Sequence, residues 1–377
     1  DLIKLFEGGF STGEGHLREP QSIGSYAALA AIAIQSNQND QHGGQSVPNF
    51  EYAMAIGVRK SYIRSYYSNL VKALELLVDM NNPQEYVEEL REKVKNTSNL
   101  LPTLQNTNGY LEFEAKILQE KFSEKLINKI QDFCSKYTEK EVRKATYQAM
   151  EGFIHNLNTM HSRAGAQVPF SSINYGLDTT PEGRMVMIEL LKATDAGLGN
   201  GETPIFPIQI LKIKEGKNYN PGDPNYDIFK LSCKVSAKRL FPNFSFIDSP
   251  FNLQYYKDGD YRTEIAYMGC RTRVAANVYD PSREIVTGRG NLSFTSINLP
   301  RLGIMAHGDI NKFFELLDEK LDLVIEQLMF RYRIQAKKKV RNYPFLMGQG
   351  VWIDSEKLSI DDFANLSNIF VKKLLKS

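Results

Sequence analysis

A chain of 377 residues with 42% hydrophobic and 24% charged residues holds enough apolar material for one large core or two domains, and needs no staple to fold. A formal net charge of +2 excludes a global basic field for duplex nucleic acid. Three cysteines without paired spacing argue against a disulfide framework or a metal site within these residues, and fit a reducing, cytoplasmic setting.

Asp1 begins inside a periodic pattern with no initiator methionine, signal or cap, which predicts a start in the middle of a larger protein. Residues 20–39 read as a helix; their apolar part, about Tyr26 to Ile34, is far shorter than the roughly twenty residues of a membrane span. Apolar spacing at Ile63, Tyr67, Leu70, Leu74 and Leu77 predicts a helix over 59–80, and Pro83 opens the next at its first turn. Helices over 110–137 and 139–161 follow, the second opened by Thr138-Glu139-Lys140-Glu141, which resembles a capping box.

The pattern changes at Gln167. Val168 to Asn174 reads as a strand, Thr180-Pro181-Glu182 starts a helix to about Ala196, and Ile205 to Ile210 reads as a strand. A helix over 225–240, strands over 243–247 and 292–298 and a long helix over 309–339 complete the series. Alternation of this kind predicts an α/β fold with parallel strands and helices outside, either a doubly wound sheet or a closed barrel. Gly197-Leu198-Gly199-Asn200-Gly201 precedes a strand instead of opening a helix, so it reads as a helix-ending turn and not a phosphate loop. The basic run Lys337-Lys338-Lys339 with Arg341 reads as a solvated face or a partner for a helix dipole. Cys134 and Cys233, inside helix-like stretches, read as inert buried apolar residues. His42 and His161 have no metal-ligand spacing.

Cys270 stands apart. It lies in Tyr267-Met268-Gly269-Cys270-Arg271-Thr272-Arg273-Val274, and about twenty residues later comes Thr287-Gly288-Arg289-Gly290-Asn291. Each segment is a glycine-punctuated turn beside a β-prone run, able to present a small polar side chain to a cavity.

Four blocks in order, Leu17–Tyr26 with Gln41–Phe50, Ser162–Asn174, Met268-Gly269-Cys270-Arg271, and Gly288-Arg289-Gly290-Asn291 with Ser296–Arg301, carry a resemblance over nearly the whole chain. The chain resembles the anaerobic, class III ribonucleoside-triphosphate reductases, which are glycyl radical enzymes. The resemblance implies a ten-stranded α/β barrel of the ribonucleotide reductase and glycyl radical enzyme type. In its terms residues 1–160 are an N-terminal helical region with a dimer and effector surface, and 161–377 a barrel portion whose finger loop carries Cys270. It implies reduction of ribonucleoside triphosphates by radical chemistry, with Cys270 as the thiyl residue and formate as the reductant.

Asn291 then orients a substrate hydroxyl or formate, or is a turn asparagine bonding its own backbone. Met268 packs against sugar or formate, or fills a core gap. Ser162, Arg163, Gln167 and Asn174 form a candidate triphosphate site, with Arg163 alternatively a structural ion-pair partner. Gln35, Arg59, Lys60 and Arg64 are candidate effector contacts, the three basic ones alternatively a solvated helix face.

The implied partners are a ribonucleoside triphosphate, dNTP or ATP effectors, a radical-SAM iron–sulfur activase and a second copy of the chain, with no membrane and no nucleic acid. The family's N-terminal ATP cone has no counterpart here, and neither does its C-terminal domain with a four-cysteine zinc site and the glycyl radical loop. Formate-using members place a second active-site cysteine just before the segment matching Asp1 to Phe6, a position that falls outside this chain. The expectation is that this chain alone does not turn over. Two alternatives stay open, a catalytically silent nucleotide-binding or dimerisation module and a glycyl radical lyase. Lyases often carry paired finger-tip cysteines, whereas Cys270 stands between Gly269 and Arg271.

Overall fold

The computed structural model describes residues 1–13, 15–41, 43–162, 166–269, 272–275, 277, 280–364 and 366. Helix α1 (Leu2–Phe6), capped by the Asp1 carboxylate, and a small hairpin of β1 (Phe10–Ser11) and β2 (His16–Leu17) lead into α2 (Ile23–Asp40). Ser22 and Ser25 cap α2 reciprocally, each hydroxyl accepting the other's backbone N–H. Strand β3 (Gln45–Val47) follows, then α3 (Phe50–Val78), α4 (Pro83–Thr97), α5 (Tyr110–Leu118) and α6 (Glu124–Thr159). Pro83 occupies the first turn of α4, as the sequence predicts.

Two helix boundaries differ from expectation. α3 starts nine residues before position 59 because Phe50, Ala53, Met54, Ala55 and Val58 are buried on several sides, so that stretch shows no one-sided period. The break expected at Thr138 is absent. Thr138 is fully buried in mid-α6, where Asn69 Nδ2 of α3 donates to its hydroxyl at 3.0 Å and to Glu141 Oε2 at 2.9 Å. A tertiary partner thus uses the side chains that matched a cap, and the real interruption lies at 119–123.

Strand β4 (Ser171–Tyr175), α7 (Pro181–Ala196), β5 (Ile208–Ile213), α8 (Tyr226–Arg239) and β6 (Asn243–Phe246) then alternate. Thr180 caps α7, and Gly197, with φ of 82°, ends it in the expected turn. β5 starts three residues later than expected, beyond Pro207, which has no N–H to give a ladder. The strands form a four-stranded parallel sheet in the order β3-β4-β5-β6.

Register divides this sheet into two unlike faces. Ser46 opposite Ser172, Asn174 opposite Ile210 and Lys212 opposite Ser245 place a mostly polar set on one face. Val47, Ile173, Tyr175, Leu211 and Ile213 point the other way, into the main core with α2, α3, α6 and α7. After α9 (Pro250–Leu253), the antiparallel hairpin of β7 (Ala266–Met268) and β8 (Thr272–Val274) lies against the polar face at β3 and β4.

Residues 292–298 do not form the expected strand. Side chains of the last long helix hold their backbone and hydroxyls instead: Arg331 donates to Ser293, Phe294 and Thr295, and Gln335 to the Leu292 carbonyl. That helix, α11 (Ile310–Ala336), follows the short α10 (Leu299–Met305). Cys134 is buried in α6 as expected, but Cys233 is exposed, because α8 turns the neighbouring Ser232 inward. Among the described residues no helix is long and apolar enough to cross a membrane.

α2 and α3 meet closely at Gly57, where a β-carbon would stand 2.8 Å from the buried Tyr26 ring. Gly57→Ala is expected to push the two helices apart and cost about 1–3 kcal/mol, read as a lowered urea midpoint.

Candidate active site

The two glycine-punctuated segments converge on one dipeptide, Gly43-Gly44. A β-carbon on Gly44 would stand 2.4 Å from the Gly269 Cα and 2.6 Å from the Phe170 ring, and one on Gly43 would stand 3.6 Å from Asn291 Nδ2. Gly269 itself has φ of 55°, the left-handed region that favours glycine. Only a chain without side chains at these points lets the hairpin turn press so closely on the loop before β3. Cys270 and Arg271, next in the sequence, lie outside the described residues, as do His42 and Arg163.

The strand leading to this turn is gripped by the polar face of the sheet. Asn174 accepts the Tyr267 N–H at 2.8 Å and donates to the Tyr267 carbonyl at 2.9 Å, offering the donor and acceptor that a neighbouring strand would. Ser46 donates to the same carbonyl at 2.8 Å, and the Ser172 hydroxyl accepts the Gly269 N–H at 3.1 Å. Asn174 thus stands beside the finger, where sequence reading marked it for a triphosphate. Ser46 and Ser172 escaped sequence reading, although both lie on strands next to quoted glycine or proline turns.

Alternation along β7 sends Met268 away from Asn174, and its sulfur accepts from Gln41 Nε2 at 3.7 Å. Met268 and Gln41 line an open cleft with Asp1, Asn37, Arg289 and Trp352. Arg289 is 9% exposed, and burial pushes its guanidinium down to about 10, so it stays charged at neutral pH. The Asn37 side-chain amide oxygen Oδ1 is buried with no partner among the described residues. The cleft is thus lined by a thioether, neutral amides, the Asp1 residue and the Arg289 guanidinium, which donates to the Ile285 carbonyl at 3.3 Å. Gln41 and Arg289 were visible in the sequence as neighbours of glycines, but without a partner there to give them a role.

The other expected contacts are dispersed. Ser162 is half-buried, with a buried hydroxyl lacking a partner among the described residues, and Gln167 is exposed. Gln35 reaches the Met160 sulfur at 3.5 Å, and Arg59 stands 3.8 Å from Glu182. Lys60 pairs with Glu19 and lies over the Tyr26 ring. Of these four only Arg64 lines the groove between α2, α3 and α6.

At the foot of the finger is a buried charged cluster that sequence reading missed. Lys212 Nζ meets Glu264 Oε2 at 2.6 Å, and the Tyr52 hydroxyl donates to Glu264 Oε1 at 2.7 Å. Glu51 accepts the N–H groups of Gly176 and Leu177 at the end of β4. Burial pushes its carboxyl up to about 8; attraction to Lys212 opposes this, and Glu264 and Asp178 add to it.

A sequence profile described as anaerobic ribonucleoside-triphosphate reductase matches residues 1–370. The chain belongs to this family. It is 34% identical over 371 residues to an anaerobic ribonucleoside-triphosphate reductase of Salmonella typhimurium (strain LT2), covering 98% of this chain and 42% of that one. The reductase of Escherichia coli (strain K12) is 34% identical over 235 residues, 62% of this chain and 31% of its own. That of Enterobacteria phage T4 is 27% identical over 357 residues, 93% and 49%. The chain thus spans less than half the length of these relatives.

Asn174→Asp keeps the acceptor for Tyr267 but removes the donor. The expected loss is roughly 1–3 kcal/mol, measured by urea unfolding near neutral pH. Glu51, whose folded value lies above the ordinary 4.5, contributes stability that is full below about 4.5 and drains as pH rises toward about 8. Glu51→Gln should flatten that decline, so the variant's melting temperature gains on the wild type from pH 5 to pH 8.

Proposed function

We propose that the full-length protein containing this chain reduces ribonucleoside triphosphates to 2′-deoxyribonucleoside triphosphates under anaerobic conditions, with formate as reductant. The observation that carries this reading is the convergence of the Gly269 turn and Asn291 on Gly43-Gly44, with Met268 lining the adjoining cleft. Family membership and the four sequence blocks support it.

In this reading Cys270 Sγ, as a thiyl, takes the 3′ hydrogen of the ribose. The 2′ oxygen then leaves as water after protonation, which the poor leaving ability of hydroxide otherwise prevents. The glycyl radical of a C-terminal domain supplies the one-electron oxidation that converts the Cys270 thiol to a thiyl. Two electrons from formate, which leaves as carbon dioxide, reduce the 2′ carbon, and the Cys270 thiol returns the abstracted hydrogen to C3′, which regenerates the thiyl. Asn291 holds formate or a ribose hydroxyl with an amide that neither charges nor titrates at working pH. Met268 walls the ribose side of the cleft, and Ser162, Arg163 and Gln167 approach the triphosphate.

The parallel strands β3 to β6 belong, in this proposal, to a ten-stranded α/β barrel, with residues 1–160 its helical region and 161–377 the barrel portion. The helical region supplies the contacts of a homodimer and a dNTP or ATP effector site, in which Arg64 is the best placed of the four candidates. A radical-SAM iron–sulfur activase loads the radical.

Cys270→Ala in the full-length, activated protein should keep the glycyl radical signal by electron paramagnetic resonance and abolish deoxynucleotide formation. Retained reduction overturns the assignment. Isotopically labelled formate should yield one labelled carbon dioxide per deoxynucleotide, and Asn291→Ala should slow that release on the order of 10²-fold, the scale for a lost positioning contact.

A further inference from the structure

A lysine and a glutamate placed together out of water are costly. Each ion forfeits hydration worth several kcal/mol, so an apolar pair of similar volume commonly serves stability as well. Lys212 is nonetheless 0% exposed and Glu264 3% exposed, and Tyr52 takes the second oxygen of the same carboxylate. The best-attested use of such a pair is to fix register.

Its place in the fold gives it a register to fix. Glu264 stands two residues before β7 and six before Cys270, while Lys212 stands on β5 on the same sheet face as Ser46, Ser172 and Asn174. The latter three grip the finger at Tyr267 and Gly269, yet each contacts backbone, which is alike at every residue. Backbone contacts alone do not distinguish Tyr267 from Ala266 or Met268. A slip by one residue turns Tyr267 toward the cleft in place of Met268 and moves the turn by about 3.3 Å. A side-chain lock is needed; Arg273 on β8 bonds Asn252 and the Phe251 carbonyl near the surface, and Glu264 supplies the buried, charged contact at the foot of β7.

We infer that the buried Lys212–Glu264 pair, with the Tyr52 hydroxyl, is the register lock of the finger, a set of positioning residues that fixes where the Gly269 turn, which leads to Cys270 in the sequence, stands relative to the cleft. Glu51 completes the arrangement from the far side. Its carboxyl oxygen Oε1 accepts the N–H groups of Gly176 and Leu177 at the end of β4, and Lys212 pairs with Glu264. The catalytic consequence of the lock rests on the reductase reading, whereas its structural consequence does not.

The test uses the full-length protein with Lys212→Met and Glu264→Leu combined, so that neither ion is left alone in the interior, and Glu264→Gln as a milder single change. Amide hydrogen exchange is read at Tyr267 and Gly269, and turnover after activation is read alongside the glycyl radical signal. The double variant is expected to melt close to the wild type, to lose protection at Tyr267 and Gly269 while β4 and β5 keep theirs, and to load the radical normally. Its kcat should fall on the order of 10²-fold, the effect of about 1 Å of misplacement, with KM for nucleotide nearly unchanged. Undiminished protection at both amides overturns the inference. So does a folded double variant with kcat within about twofold of an active wild type. If the wild type itself does not reduce nucleotides, the reductase reading fails, and the exchange result still decides the lock.

Discussion

A hairpin laid across the face of a sheet, and not along its edge, has backbone groups on its outer strand that no ladder can satisfy. Buried amides and carbonyls left in that state are strongly disfavoured. In this chain the Tyr267 N–H and carbonyl and the Gly269 N–H meet Asn174, Ser46 and Ser172, which stand in for a missing strand. Everything near the candidate site depends on this substitution of side chains for backbone.

The requirement explains why the sheet has two characters. Its outer face must cover α2, α3, α6 and α7, and does so with Val47, Ile173, Tyr175, Leu211 and Ile213. Its polar face must receive a hairpin, so most alternating positions on the same strands, Ile208 and Ile210 apart, are serine, asparagine and lysine. The glycines serve the same end by another route. Gly44 and Gly269 remove the β-carbons that would hold turn and loop apart, and the cleft bordered by Met268, Gln41 and Arg289 opens beside them.

Such a finger also has little conformational slack. Its turn is pinned by glycine contacts, its middle by backbone hydrogen bonds and its foot by the Glu264 carboxylate. For the proposed hydrogen abstraction, where displacement of about 1 Å changes rate by two orders of magnitude, rigid placement matters more than any extra stability.

Much of the layout was legible because its signals are local. Thr180-Pro181 starts α7, Pro83 opens α4, Gly197 ends a helix, and the strand–helix alternation after Gln167 is present as expected. The four sequence blocks likewise led to the family, since residue identity is what a family shares. The sequence by itself determined the α/β class, most helices and the presence of the two glycine-punctuated segments. Only tertiary structure decided that Thr138 is a buried bonding partner and not a cap, that 292–298 is held as a loop by α11, and that Lys212 faces Glu264. The reason is physical. A helix or turn is specified by neighbours a few residues apart, whereas these partners come together from 52 to 69 residues away, or from a helix nearly 40 residues downstream.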